Sequence, residues 1–86
     1  MTSTTSRTRQ IARLTPGEAC VLKFQTSNGA FTEDVKFVSL SEDGQSAIFR
    51  SHDDDNAPAY DWEAYRFQGR WCYGSSAQRL SLVVTS

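Results

Sequence analysis

From Glu18 onward, apolar side chains recur at every second position between short turns that contain glycine. Cys20, Leu22 and Phe24 form one face of the first such run. A period of two is typical of a β-strand with one face against a core. Turns at intervals of about eight to twelve residues are typical of an antiparallel meander. The sequence therefore predicts a mainly β fold of five or six short strands.

The length of the chain limits how these strands can pack. Eighty-six residues form a single domain, and the β region is too short for a two-sheet sandwich. We therefore expect a small bent antiparallel sheet or an SH3-like barrel, because closure removes exposed strand edges. Residues 1–16 are predicted as an N-terminal arm or a short helix, capped by Ser6 and ended by Pro16 and Gly17. Residues 17–86 form the single β domain.

Three local features can be predicted along this meander. The Asn28-Gly29 pair predicts a type I′ hairpin turn, since both residues tolerate positive φ. The apolar phase changes after Phe37, which predicts a bulge or sharp bend there. Residues 59–67 fit either a strand or a helix, and the alternation of aromatic and acidic residues favours the strand.

Catalytic and metal-binding patterns are absent from the sequence. His52 is the single histidine, and no serine lies in a nucleophile-elbow motif. Cys20 and Cys72 lack metal-ligand spacing and are predicted as buried thiols, with a disulfide left open if their strands are adjacent. We therefore expect neither an enzyme nor a protein with a metal or cofactor.

Acidic residues are concentrated in one part of a chain whose net charge is only −1. Residues 33–63 contain nine of them, against Lys36 and Arg50. The first hypothesis is a protein-interaction module, such as a small inhibitor or regulator, with an acidic face that imitates nucleic acid. It would dock on a basic, nucleic-acid-binding protein partner, with an aromatic residue as the anchor. The predicted partner-binding residues are Asp53, Asp54, Asp55, Asp61, Glu63, Tyr60 and Trp62.

Residues 60–73 support an alternative hypothesis, since they hold six of the ten aromatic residues, interleaved with Arg66 and Arg70. Small barrels that bind single-stranded nucleic acid stack bases on aromatic rings and contact phosphates with basic residues. Arg66, Arg70 and Tyr73 are the predicted binding residues of this alternative. Direct nucleic-acid binding is the second choice, because the chain lacks a basic excess.

Two short motifs resemble those of PilZ domains. Arg9-Gln-Ile-Ala-Arg13 matches the RxxxR motif of that family. Ser39-Leu-Ser41-Glu-Asp-Gly44 is similar to its (D/N)xSxxG motif, although Ser39 replaces the acidic or amide residue and the chain is shorter than the usual barrel. The resemblance implies a small β-barrel that binds cyclic di-GMP, which is a third functional alternative.

The sequence gives only general information about location. No apolar stretch approaches the roughly 18 residues of a membrane span, and the first ten residues lack the apolar region of a secretory signal. We therefore expect a cytoplasmic protein with no membrane partner. The sequence leaves open the identity of the partner and the oligomeric state.

Overall fold

The computed structural model describes residues 8–52 and 58–86. Seven strands and one 3-10 turn are present in these residues. In chain order they are β1 (Thr8–Arg9), the 3-10 turn (Ile11–Arg13), β2 (Ala19–Thr26), β3 (Gly29–Leu40), β4 (Ser46–Ser51), β5 (Asp61–Phe67), β6 (Arg70–Tyr73) and β7 (Leu80–Thr85).

Six of the strands form a closed antiparallel barrel. Neighbours pair in the order β7-β2-β3-β4-β5-β6, and β6 then pairs with β7 to close the ring. The closing pairs are Cys72 with Ser81 and Tyr73 with Leu80. The short strand β1 pairs with the C-terminal part of β7, where Thr8 lies opposite Thr85. The predicted mainly β fold is confirmed.

The core fills the inside of the barrel with alternate residues of the strands. Leu22, Phe24, Val35 and Phe49 are completely buried there. Full burial of each such side chain stabilises the fold by about 1.5–3 kcal/mol. Ile11 and Leu14 join the same cluster from the N-terminal segment and close one end of the barrel.

Two of the local predictions are confirmed. The β3–β4 register shifts between Phe37 and Ser39, which is the predicted bulge. Residues 61–67 form strand β5, so the strand interpretation of this region is right.

The predicted type I′ turn at Asn28-Gly29 is wrong, although a hairpin lies there. Thr26 pairs with Gly29, and Asn28 does not have a positive φ. The Thr26 hydroxyl instead accepts a hydrogen bond from the Asn28 amide at 3.1 Å and donates one to the Gly29 carbonyl at 2.6 Å. This side-chain bonding stabilises a different turn conformation.

The N-terminal segment contains no α-helix in its described part. Residues 8–14 form β1 and the 3-10 turn, and the proposed cap Ser6 lies outside the described residues. Over residues 8–52 and 58–86, no helix is both long and apolar enough to cross a membrane. Cys20 and Cys72 are buried free thiols, as predicted.

The strands give the barrel two different ends. The basal end carries the N-terminal segment and the β3–β4 turn, and the Arg66 amide donates to the Gln45 carbonyl there at 2.8 Å. The aromatic end lies at the opposite ends of the strands. It carries Phe31, Tyr60, Trp62 and Tyr73 around the buried Phe24.

Candidate functional site

The basal end contains a pocket of about 360 Å³, hereafter the basal pocket. A volume of this size is near the lower limit of small-molecule sites, which span about 300–1,000 Å³. Four separate segments of the chain meet there. The lining residues are Arg9, Gln10, Ile11, Ala12, Leu40, Gly44, Arg66 and Trp71.

Arg9 is fixed at the edge of this pocket by two hydrogen bonds. Its Nη1 donates to Glu18 Oε2 at 2.9 Å and to the Ser86 hydroxyl at 2.8 Å. The second oxygen of Glu18 accepts the Thr15 amide at 2.9 Å. The Thr15 amide and, to a smaller extent, Arg9 lower the pKa of Glu18. Arg9 therefore has a carboxylate partner in the structure.

Arg66 and Trp71 also line the basal pocket. They pair across β5 and β6, so their side chains point to the same face of the sheet. The guanidinium carbon of Arg66 lies 5.7 Å from the centre of the Trp71 ring, within cation–π distance. Within the described part of the chain, Arg66 forms no salt bridge. Among the residues that the structure describes, the pocket thus combines an arginine that has no carboxylate partner with a large aromatic side chain.

The second PilZ-like motif forms the turn beside the pocket. The Ser41 hydroxyl donates to Asp43 Oδ1 at 2.6 Å and accepts the Gln45 and Ser46 amides. The Ser41 hydrogen bond, followed by the Gln45 amide, lowers the pKa of Asp43. Gly44 adopts φ +72°, a conformation that glycine reaches without strain, and lines the pocket. Ser41 and Gly44 therefore shape the turn, and of the two only Gly44 lines the pocket.

The two arginines of the first PilZ-like motif lie in different surroundings. Arg9 lines the basal pocket, whereas Arg13 is exposed and its Nε donates to the Gln10 side chain at 3.3 Å. Arg13 therefore contributes charge near the pocket without lining it.

A second crevice, of about 200 Å³, adjoins the basal pocket. It shares Arg9, Ile11 and Trp71 with the pocket and adds Arg70. It lies between β6 and β7, on the basal side of their two paired positions, where the two strands separate. Arg70 is exposed at the start of β6, so a third cation borders the same tryptophan.

Tyr73, the third residue of the predicted nucleic-acid site, lies away from these arginines. Its ring contacts Trp62 and Phe24 at the aromatic end, with centroids 5.0 and 5.6 Å apart. Arg66 therefore lines the basal pocket and Arg70 the adjoining crevice, each together with Trp71, whereas Tyr73 lies at the other end of β6.

The predicted acidic face is only partly described. Asp53, Asp54 and Asp55 lie outside the described residues. Asp61 forms a salt bridge with Arg50 across β4 and β5, at 2.8 Å from Nε, and this hydrogen bond lowers the pKa of Asp61. Glu63 is exposed on the same outer side of β5.

The predicted aromatic anchors occupy the aromatic end. Tyr60 is 50% exposed and its ring lies 5.2 Å from that of Trp62. Trp62 is partly buried on the core side of β5, opposite Phe49, and therefore faces away from Asp61 and Glu63. Its buried indole N–H has no acceptor among the described residues.

Sequence reasoning missed two carboxylates at this end. Glu33 and Asp34 line an open crevice of about 380 Å³ together with Tyr60 and His52. Burial, and then the charge of Glu33, raise the pKa of Tyr60. The β3 pattern contained a signal for this, since Glu33 occupies an apolar position of the alternation between Phe31 and Val35.

Comparison with protein-family models, with curated proteins and with solved structures finds no match for this chain. The resemblance to PilZ domains therefore depends on the two short motifs and on their positions around the basal pocket.

Proposed function

We propose that this protein is a non-enzymatic module that binds a nucleotide, of the cyclic dinucleotide class, in the basal pocket. The observation that carries the proposal is the meeting of Arg9, Gly44, Arg66 and Trp71 in one pocket. Residues from both PilZ-like motifs thus lie beside a cation and an aromatic ring that the motifs do not include.

The chemistry of the pocket suits a nucleotide. A base can stack on the indole of Trp71, and base–aromatic stacking contributes about 1–3 kcal/mol. The Arg66 guanidinium can donate two parallel hydrogen bonds to a phosphate. The adjoining crevice with Arg70 offers room and charge for a second nucleotide unit. No covalent step is required of any residue.

A single-stranded nucleic acid is the competing ligand for the same residues. The arrangement of the rings favours the compact nucleotide, because Tyr73 lies at the far end of β6 and Trp71 is the one aromatic residue among the described residues that line the basal pocket. The net charge of −1 likewise disfavours a polyanion more than a small ligand.

Tryptophan fluorescence tests the proposal directly, since Trp71 and Trp62 are the two tryptophans of the chain. In a Trp62→Phe background, cyclic di-GMP should quench Trp71 saturably. Arg66→Gln should weaken this binding at least about tenfold, the effect of losing a hydrogen bond to a charged group. Arg50→Gln, an arginine on the outer side of β4, should leave the affinity unchanged.

The outcomes separate the alternatives. Equal affinity of Arg66→Gln and the parent protein, or no quenching at all, would overturn the proposal. Tighter binding of an oligothymidylate of about ten nucleotides than of cyclic di-GMP would favour the single-strand alternative. Circular dichroism of each variant checks that the barrel is retained.

Docking on a basic protein partner is the second candidate function. It is favoured by the half-exposed Tyr60 beside Glu33 and Asp34 at the aromatic end. Binding of a labelled arginine-rich peptide should weaken in Tyr60→Ala and in Glu33→Gln. Glu42→Gln, at the basal end, is the matched control, and equal effects of Glu33→Gln and Glu42→Gln would contradict a localised docking surface.

The proposal also includes a cytoplasmic location. Two buried free thiols suit a reducing compartment, where disulfides are rare.

A further inference from the structure

Arg79, immediately before β7, is held on the outer wall of the barrel by aromatic residues. Its guanidinium carbon lies 3.7 Å from the centre of the Phe67 ring and 5.9 Å from that of Tyr65. Its Nε donates to the Tyr65 hydroxyl at 3.0 Å. That hydroxyl in turn donates to the Gly74 carbonyl at 2.6 Å. The guanidinium therefore has a fixed position and orientation.

Within residues 8–52 and 58–86, no carboxylate forms a salt bridge with Arg79. The described residues contain two salt bridges, which involve Arg9 and Arg50 and not Arg79. Residues 64–86 contain no acidic residue at all. Nε is the atom of Arg79 that is hydrogen-bonded within residues 8–52 and 58–86, so the two terminal nitrogens can donate elsewhere.

An open crevice of about 450 Å³ lies beside Arg79. Ser27, Ser75 and Gln78 are among its lining residues, and none of the lining residues in the described part of the chain is acidic. The turn that carries Ser75 is tightly packed, because a Cβ at Gly74 would overlap the Gln78 carbonyl. Ser75 and Gln78 thus belong to a closely constrained turn, in which the Gln78 amide donates to the Ser75 hydroxyl at 3.2 Å.

We propose that this crevice binds a phosphate group, with the terminal nitrogens of Arg79 as the principal donors. A guanidinium fork forms paired hydrogen bonds to a phosphate or a carboxylate. The serine hydroxyls favour phosphate, because a tetrahedral anion presents oxygens beyond the two that the fork engages. The site is separate from the basal pocket and does not depend on nucleotide binding there.

Side-chain NMR tests this inference, with inorganic phosphate as the probe and acetate as the planar control. The Nε–H signal of Arg79 should shift saturably with phosphate, at least about fivefold more tightly than with acetate. Arg79→Lys should weaken phosphate binding about tenfold, read from the backbone amide signals of residues 75–78. Ser75→Ala should weaken it about threefold. Because this change also removes a side-chain acceptor of the Gln78 amide, the amide signals of residues 75–78 without phosphate check that the turn is retained. Arg50→Lys is the matched control and should have no effect.

Each result has a definite meaning. Phosphate affinity that is unchanged in both Arg79→Lys and Ser75→Ala, or a shift that never saturates, would overturn the inference. A nucleoside monophosphate that binds more tightly than inorganic phosphate would identify the source of the group as a nucleotide. Trp71 fluorescence, which reports the basal pocket, should not respond to inorganic phosphate at this crevice, so the two proposals can fail separately.

Discussion

Gly74 shows how one residue can be required by both backbone conformation and packing. Its φ is +99°, in the region that side chains with a Cβ rarely adopt. A Cβ at this position would also overlap the Gln78 carbonyl oxygen. Gly17 has a similar φ of +90°, but nothing lies within 4 Å of an added Cβ. The two glycines therefore separate the cost of conformation from the cost of a clash.

Gly74→Ala is expected to lower the free energy of unfolding by about 2–4 kcal/mol, since strain in the left-handed region and the overlap with backbone both contribute. Gly17→Ala should lower the free energy of unfolding by only about 1–2 kcal/mol, because backbone strain contributes there and a clash does not. Urea denaturation of both variants measures the difference. Equal losses would mean that the turn relaxes without cost and that the overlap is unimportant.

At the scale of elements, the hairpin turns show where local sequence signals succeed and where they do not. The type I′ conformation predicted for Asn28-Gly29 belongs instead to Gln68-Gly69, where φ is +54° and +79°. This two-residue loop joins β5 to β6, and pairing of Phe67 with Arg70 across it fixes the conformation. At the first hairpin, the Thr26 side chain decides the turn, so the Asn-Gly pair located the hairpin but not its type.

Gln68→Asn is expected to raise the free energy of unfolding by about 0.5–1 kcal/mol, because Asn tolerates positive φ better than Gln does. Thermal denaturation should show a higher midpoint. Asn28→Gly is the matched contrast. It should give no gain, since Asn28 has no positive φ to relieve and glycine adds freedom to the unfolded chain. A gain from Asn28→Gly would contradict a turn in which Asn28 has no positive φ.

At the scale of the whole molecule, the barrel could be predicted from the sequence but the basal pocket could not. Alternation with a period of two is a local signal, and residues such as Leu22 and Phe24 carry it directly. Arg9, Gly44 and Trp71 are distant in sequence, and they meet only because β6 pairs with β7 and closes the ring. The PilZ-like motifs suggested two of these segments. No local sequence signal indicated that Arg66 and Trp71 would line the same pocket as these motifs.

The distribution of titratable groups has a consequence for the stability of the whole barrel. Hydrogen bonds lower the pKa of Glu18, Asp43 and Asp61 in the folded protein. Burial raises the pKa of Cys20, and the Glu18 charge adds to this. Burial similarly raises the pKa of Tyr60. The carboxylates favour the folded state only when ionised, whereas the thiol and the phenol favour it only when neutral.

We therefore expect the free energy of unfolding to be highest between about pH 5 and pH 8 and to fall on both sides. Below about pH 4.5 the unfolded chain takes up protons that the folded carboxylates still exclude, so stability is lost as the pH falls through their lowered pKa values. Above about pH 8.5 the unfolded chain releases protons that Cys20 and then Tyr60 retain when folded, so stability is lost as the pH rises.

Urea denaturation across this pH range measures the loss of stability on the acid side and on the alkaline side. Cys20→Ala should flatten the start of the alkaline limb and leave the acid limb unchanged, and Asp61→Asn should reduce only the acid slope. A free energy of unfolding that keeps rising above about pH 9 in the parent protein would contradict the neutral, buried thiol.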